Sequence, residues 1–229
     1  MQKTQSTTHT FAAPAPITAV LDVPAGRIRF IAADRADATV EILPADPSRS
    51  RDVKTAEETA VEYRDGVLRV ETPVGNQFLG PSGTLEVTVQ LPAGSSVRAK
   101  AASGELRGVG RLGDVDFEGA HGTVKLDETA NARLSLQAGD VLVGRLDGSA
   151  EITTQKGDLT VTEAVRGTLT LRTEQGSITV GAARGTSATL DAGTTHGRIG
   201  NSLYNAAGSA ADLVIHATTT YGDITARSL

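Results

Sequence analysis

Ser103-Gly104-Glu105-Leu106, His121-Gly122-Thr123-Val124, Ala138-Gly139-Asp140-Val141, Lys156-Gly157-Asp158-Leu159, Gln175-Gly176-Ser177-Ile178, His196-Gly197-Arg198-Ile199 and Tyr221-Gly222-Asp223-Ile224 are versions of one motif. Each has a turn residue, a glycine, a small or charged residue and an apolar residue. Successive glycines stand 18, 17, 18, 19, 21 and 25 residues apart. A period near this length marks a solenoid, whose units bury their apolar faces only by stacking on neighbours.

Set in register on the glycine, the flanking residues align. Five positions before it stand Phe117, Leu134, Ile152 and Leu171; two after it, Val124, Val141, Leu159 and Ile178; four after it, Leu126, Val143, Val161 and Val180. Strand alternation turns these inward and leaves Thr, Arg, Gln and Glu outward. Coils about 4.8 Å apart would stack them into apolar columns. The glycines fall at corners, where positive φ or a close backbone approach is needed. The expected fold is all-β: a single-stranded parallel β-helix, or β-solenoid, of about seven coils of ~18 residues in a rod of ~30–35 Å.

The rest of the chain divides around this stretch. Residues 1–12 read as a flexible or loosely paired arm. Residues 13–95 read as a β-strand and hairpin cap, and 96–229 as the solenoid, all in one continuous domain. Within the cap, residues 17–23, 27–31, 39–43 and 85–91 alternate as strands, with Pro24-Ala25-Gly26 as a turn. Residues 52–60 read as one or two helical turns with Asp52 as N-cap. Asp65-Gly66 between alternating residues 61–64 and 67–70 signals a hairpin. Residues 73–83 read as a loop. Residues 201–211 break the period as a protruding loop, and 212–229 are expected to close the far end.

Aromatic residues make up 3% of the chain and Trp is absent, so the core must come from Val, Leu, Ile and Ala. That suits a narrow coil. A net charge of −5 argues against a nucleic-acid partner, which needs a basic surface. With no cysteine, neither disulfide nor thiolate chemistry is available. Residues 1–10 lack the ~7–15 apolar residues of a secretory signal. No run approaches the ~18 apolar residues of a membrane span. The expectation is a cytoplasmic protein without membrane insertion.

The Gly-[Asp/Ser/Thr]-[Ile/Val/Leu] repeats across 104–226, the Leu91-Pro92-Ala93-Gly94 lead-in and the closing Thr219-Thr220-Tyr221-Gly222-Asp223-Ile224-Thr225 resemble a known family. It is the bacterial β-strand-repeat family of unknown function called "putative adhesin" or toastrack domain, and the chain is most similar to its soluble actinobacterial members. The resemblance covers nearly the whole chain. It implies a non-enzymatic β-solenoid. Some members are linked to cell-envelope stress systems and anchored at the membrane, whereas no anchor is read in this sequence.

Several short motifs carry chemistry elsewhere. Gly108-Val109-Gly110-Arg111-Leu112-Gly113 matches the dinucleotide fingerprint, but that motif needs a following helix and Asp114-Val115-Asp116-Phe117 alternates as a strand. Asp114, Asp116 and Glu118 begin like a calcium loop, yet Lys125 stands where the bidentate Glu belongs. Asp140 and Asp158, in adjacent coils, could hold a cation, but turn aspartates more often cap backbone N–H groups. His121 and His196 share a register position about 19 Å apart across intervening coils, too far to share a metal; His9 and His216 make no cluster with them. Outward threonines, among them Thr153, Thr154, Thr170, Thr173, Thr179 and residues 218–220, suit strands generally. No catalytic, cofactor-binding or metal-binding residue is expected.

Three functions compete. The first is a scaffold or protein-interaction module, monomeric or a small homo-oligomer, because solenoids offer extended faces. The second is a self-assembling solenoid stacking through open coil ends. The third is a β-helix enzyme or binder acting on polysaccharide, for which Asp140, Asp158 and Arg145 are stray candidates. Only a convergent set of these residues would favour the third.

Overall fold

The computed structural model describes residues 7–73 and 83–229. Seventeen strands and one α-helix follow in order: β1 (Thr7–Ala12), β2 (Thr18–Ala33), β3 (Asp37–Pro44), α1 (Ser50–Glu58), β4 (Ala60–Arg64), β5 (Val67–Glu71), β6 (Leu85–Pro92), β7 (Ser96–His121) and β8 (Val124–Ala138). Then come β9 (Val141–Leu146), β10 (Ala150–Lys156), β11 (Leu159–Ala164), β12 (Gly167–Gln175), β13 (Ile178–Ala182), β14 (Ala188–His196), β15 (Ile199–Ser202), β16 (Leu213–Tyr221) and β17 (Ile224–Ser228). The strands are mostly parallel and build the expected β-solenoid. Each coil is one strand before the corner glycine and one after it, so the coils stack into two faces.

The stacking is register-true. Val141, Leu159 and Ile178 sit one over another on one face, and Leu134, Ile152 and Leu171 on the other. All six are at most 1% exposed. At the corner the coils approach so closely that only glycine fits. A Cβ on Gly157 would lie 2.1 Å from the carbonyl oxygen of Gly139, and φ there is +145°. The same contact links Gly26, Gly104, Gly122, Gly139, Gly157, Gly176, Gly222 and Gly197, in that spatial order.

This order shows two departures from the sequence reading. The first is at the start. Residues 24–26 do not end a strand; β2 runs on through Gly26 and pairs in parallel along β7. The parallel stack therefore reaches back to Thr18. Ala25-Gly26-Arg27-Ile28 is an eighth copy of the motif, and β5 and β6 stack beyond it as a ninth coil interrupted between them. The true cap is smaller. β4 pairs antiparallel with β5, β3 with β6, and β1 with β3. Thr7–Ala12, expected within a flexible or loosely paired arm, is thus an edge strand paired to β3. Phe11 of β1 meets Tyr63 of β4, with ring centroids 5.3 Å apart, closing the two faces over the core.

The second departure is at the far end. Residues 212–229 do not close the rod. β16 lies between β12 and β14, and β17 between β13 and β15. The last coil in sequence is thus second from the end, and the coil of β14 and β15 is outermost. Composition gives the reason. The last coil turns Leu213, Ile215, Ala217, Ile224 and Ala226 inward, each at most 1% exposed. The outermost coil has Asn201 at the position where the others carry Val180 and Ala226, so burying it would strand an amide. The non-repeating residues 203–212 supply the slack to step back one coil.

The helix of the cap is α1, but its N-cap is Arg49, without a side-chain bond. Asp52 lies inside the first turn, 4% exposed. Its carboxylate accepts from Asp46 N at 3.2 Å and Thr84 N at 3.0 Å, so it fastens the helix to two flanking segments. The Asp65-Gly66 hairpin forms as read, with φ of +51° and +74°. Of the expected loop 73–83, residues 74–82 lie outside the described residues.

Candidate functional site

Outward positions at fixed distance from each corner glycine form rows along the rod. Eight residues before the glycine stand Thr18, Ser96, Asp114, Asn131, Ser149 and Thr168. Six before it stand Arg98, Asp116, Arg133, Glu151 and Thr170. These two rows line a groove of about 600 Å³ floored by Val97, Val115, Ala132 and Ala150. Crossing six coils at ~4.8 Å, it is roughly 24 Å long.

The first row is used internally. Asn131 Nδ2 donates to Asp114 Oδ1 at 2.8 Å, Ser149 N to Asn131 Oδ1 at 2.9 Å, and Thr168 N to Ser149 Oγ at 3.1 Å. The side chains thus lock neighbouring coils at the groove edge. The second row alternates in charge. Arg133 and Glu151 approach to 3.5 Å, with side chains 71% and 60% exposed. Among the described residues Arg98 and Asp116 form no ion pair. Beside them, the Glu118 carboxylate accepts from the Lys100 ammonium at 2.9 Å and holds its pKa above the ordinary lysine value. The groove therefore offers fixed charges of both signs on a rigid sheet. It contains no histidine or cysteine. Among the described residues none of its threonine and serine hydroxyls is hydrogen-bonded to a carboxylate, and Ser149 Oγ is taken by Thr168 N, so the arrangement suits binding by hydrogen bonds and charge.

The motif residues fall as follows. Gly108, Gly110 and Gly113 lie inside β7, followed by strand and not by a helix N-terminus. Asp114, Asp116 and Glu118 project from one strand at alternate positions, about 6.6 Å apart along it, and Lys125 lies beyond the corner at Gly122, on the other face of the rod. Two of them become groove residues. Asp140 Oδ1 accepts from Asp158 N at 2.8 Å, Asp158 Oδ1 from Ser177 N at 2.7 Å, and Asp223 Oδ1 from Arg198 N at 2.8 Å. These aspartates cap the backbone of the next coil. Arg145 is held by Asp147 and Glu163, five residues along the strand from Asp140 and so roughly 16 Å from it. The polysaccharide candidates do not converge.

His121 and His196 are farther apart than expected, about 24 Å or five coil steps, because the last coil is inserted between them. His196 instead stacks on Tyr221, with centroids 4.7 Å apart. Thr154, Thr173 and Thr219 are not outward; they are 2%, 5% and 2% exposed. Thr173 Oγ1 donates to Gly157 O at 3.0 Å and Thr219 Oγ1 to Gly176 O at 2.9 Å, so they satisfy corner carbonyls. Arg98, Arg133 and Glu151 carry no motif. Their signal is the constant offset of six before the glycine, legible once the register is read outward as well as inward.

No helix among the described residues is long and apolar enough to cross a membrane. No curated protein matches the sequence. Among solved structures, the chain is similar to a "putative adhesin" of Bacteroides fragilis, at 13% identity, 97% coverage of each chain and a TM-score of 0.58. It also matches a "putative adhesin" of Parabacteroides merdae, at 11% identity, covering 99% of this chain and 97% of that one, with a TM-score of 0.46. A "putative cell adhesion protein" of Clostridium sporogenes matches at 12% identity, covering 98% of this chain and 100% of that one, with a TM-score of 0.44. The Bacteroides fragilis likeness is one of fold. A family model matches residues 20–228, nearly the whole repeat-bearing chain, and by it the protein belongs to the Toastrack DUF4097 family.

Proposed function

We propose that this chain is a non-enzymatic interaction module that holds an extended segment of a protein partner in the groove across its first six coils. One observation carries the reading: Arg98 and Asp116 form no ion pair, among the described residues, in a groove whose other two charges on that row, Arg133 and Glu151, approach each other to 3.5 Å. Charges fixed in this way on a rigid scaffold favour specificity over reaction, since each must meet its opposite on the partner. No groove hydroxyl among the described residues is hydrogen-bonded to a carboxylate, which supports binding over catalysis. The names of the structural neighbours agree with a surface or binding role.

The test is site-specific photocrosslinking. A photoreactive residue at Thr170, on the groove, is compared with one at Thr160, on the opposite face. The expected outcome is a discrete crosslinked protein from the groove position alone. The band should vanish when Arg98→Glu and Arg133→Glu are combined in a chain that melts as wild type. Equal crosslinking from both faces, or a band indifferent to the charge reversal, refutes the groove.

A further inference from the structure

The rod has one sealed end and one open end. At the first, antiparallel strands β1 and β4 cover the stack and Phe11 meets Tyr63 over the core. At the other, β14 pairs only with β16 and β15 only with β17. The connection after β15 touches the outer edge of β14 at one point, where Ala188 N donates to Tyr204 O at 2.9 Å, and leaves the edge beyond it without a paired strand. Leu203 packs against the core there and covers part of it. Two residues after each corner glycine runs one inward column, and its seven members from Ile28 to Ile224 are at most 2% exposed. The eighth, Ile199, is 47% exposed because nothing stacks on it. Among the described residues the four exposed large apolar side chains are Ile199, Tyr204, Tyr221 and Leu229, all in the last two coils and their connection.

Edge strands are normally guarded by lysine, proline, bulges or a covering element. β14 has neither lysine nor proline, and Asp191 is its one acidic or basic residue apart from His196. β15 carries no charge. At the sealed end β4, by contrast, exposes Glu62 and Arg64.

We propose that this open end docks against the same end of a second copy, tail to tail about a two-fold axis. The edge is complementary to itself. With β14 antiparallel to its own copy and centred on Ala192, Leu190 faces Thr194, Asp191 faces Gly193 and Thr189 faces Thr195. No charge meets a like charge, and the period of two keeps inward residues inward. Ile199 of each copy then has a neighbour and the core continues across the joint. A head-to-tail stack would meet the free edges of β4 and β1, where the Phe11–Tyr63 contact already covers the core and leaves Ile199 no inward column to continue. The contact is isologous, so assembly stops at two.

Sedimentation velocity and light scattering of the full chain test this, from about 1 to 100 µM, the range in which a micromolar dimer dissociates. A concentration-dependent dimer is expected. Ile199→Lys should raise its dissociation constant by about tenfold or more with an unchanged melting temperature, since the side chain is already half exposed. The chain has no cysteine, so a single introduced one reports the joint without disturbing it. Facing antiparallel residues lie ~5.5 Å apart, within disulfide reach, so oxidised Ala192→Cys should give a covalent dimer and Thr8→Cys on β1 none. A monomer across the whole range, a dimer indifferent to Ile199→Lys, or crosslinking through Thr8→Cys but not Ala192→Cys overturns the proposal. A monomer that takes up another protein's strand at this edge overturns it too.

Discussion

Replacing Gly157 by alanine should be among the most damaging single-methyl changes in the molecule. The added Cβ would sit 2.1 Å from Gly139 O and 2.5 Å from Gly139 C. Real contacts of this kind are about 3.3–3.6 Å, so the coils must part by roughly 1 Å. Parting them loosens the corner bonds Gly139 N to Lys156 O, at 2.7 Å, and Val141 N to Asp158 O, at 2.9 Å. A residue with a Cβ at φ +145° adds about 1–3 kcal/mol of backbone strain. Two weakened hydrogen bonds add about 1 kcal/mol each. The sum, roughly 3–5 kcal/mol, lowers the melting temperature by about 6–20 °C for a chain of this size. Gly185→Ala is the control. Its φ is +82° but no atom lies within 4 Å of the new Cβ, so only the strain remains. Thermal and urea unfolding followed by circular dichroism would compare the two. Equal losses would show that the corner column needs glycine for its dihedral angle alone, and would refute the close-approach argument.

Thr173→Val should destabilise by about 1 kcal/mol in urea unfolding, because it leaves the partly buried Gly157 carbonyl without the Thr173 hydroxyl. Removing residues 212–229 should expose β14 and β15 to protease while residues 96–160 stay protected, since those two strands pair with nothing but β16 and β17. The Arg35 guanidinium donates to the Asp37 carboxylate at 2.8 Å and holds its pKa below the ordinary value. A folded-state pKa lowered in this way contributes stability above the unfolded value of about 3.9 and loses it as pH falls through the folded one. Asp37→Asn should therefore flatten the acid limb of melting temperature against pH and leave the neutral plateau's slope unchanged.

The stacked columns were legible because a solenoid repeats its constraints. Val141, Leu159 and Ile178 share one environment, so one alignment on glycine places all three. The same logic reached Gly26 too weakly, because Pro24-Ala25-Gly26 also reads as an ordinary turn and β2 is separated from β7 by the whole cap. The order of the last two coils was not legible at all. Both carry the motif, and only comparing Asn201 with Val180 and Ala226 at one inward position tells which coil tolerates the outside. The groove was hidden for another reason. Arg98, Asp116, Arg133 and Glu151 are common surface residues individually, and they become a site only when β7, β8 and β10 bring them into a line. The inward threonines were legible in the alternation itself, since Thr154, Thr173 and Thr219 each stand two residues after inward Ile152, Leu171 and Ala217 and keep their phase.

The out-of-order stack bears on how the chain reaches its native state. Synthesis delivers β14 and β15 before β16 and β17, while the free edge of β12 and β13 is already waiting. Gly167 ends paired with Leu213, not with the coil that directly follows it. The earlier coil must therefore either stay undocked or bind that edge and later yield it to the more apolar latecomer. Vectorial, coil-by-coil growth, open to an ordinary solenoid, stops short here. The chain can close its final layer only after β16 and β17 have been made, and this later coil is a keystone rather than a lid.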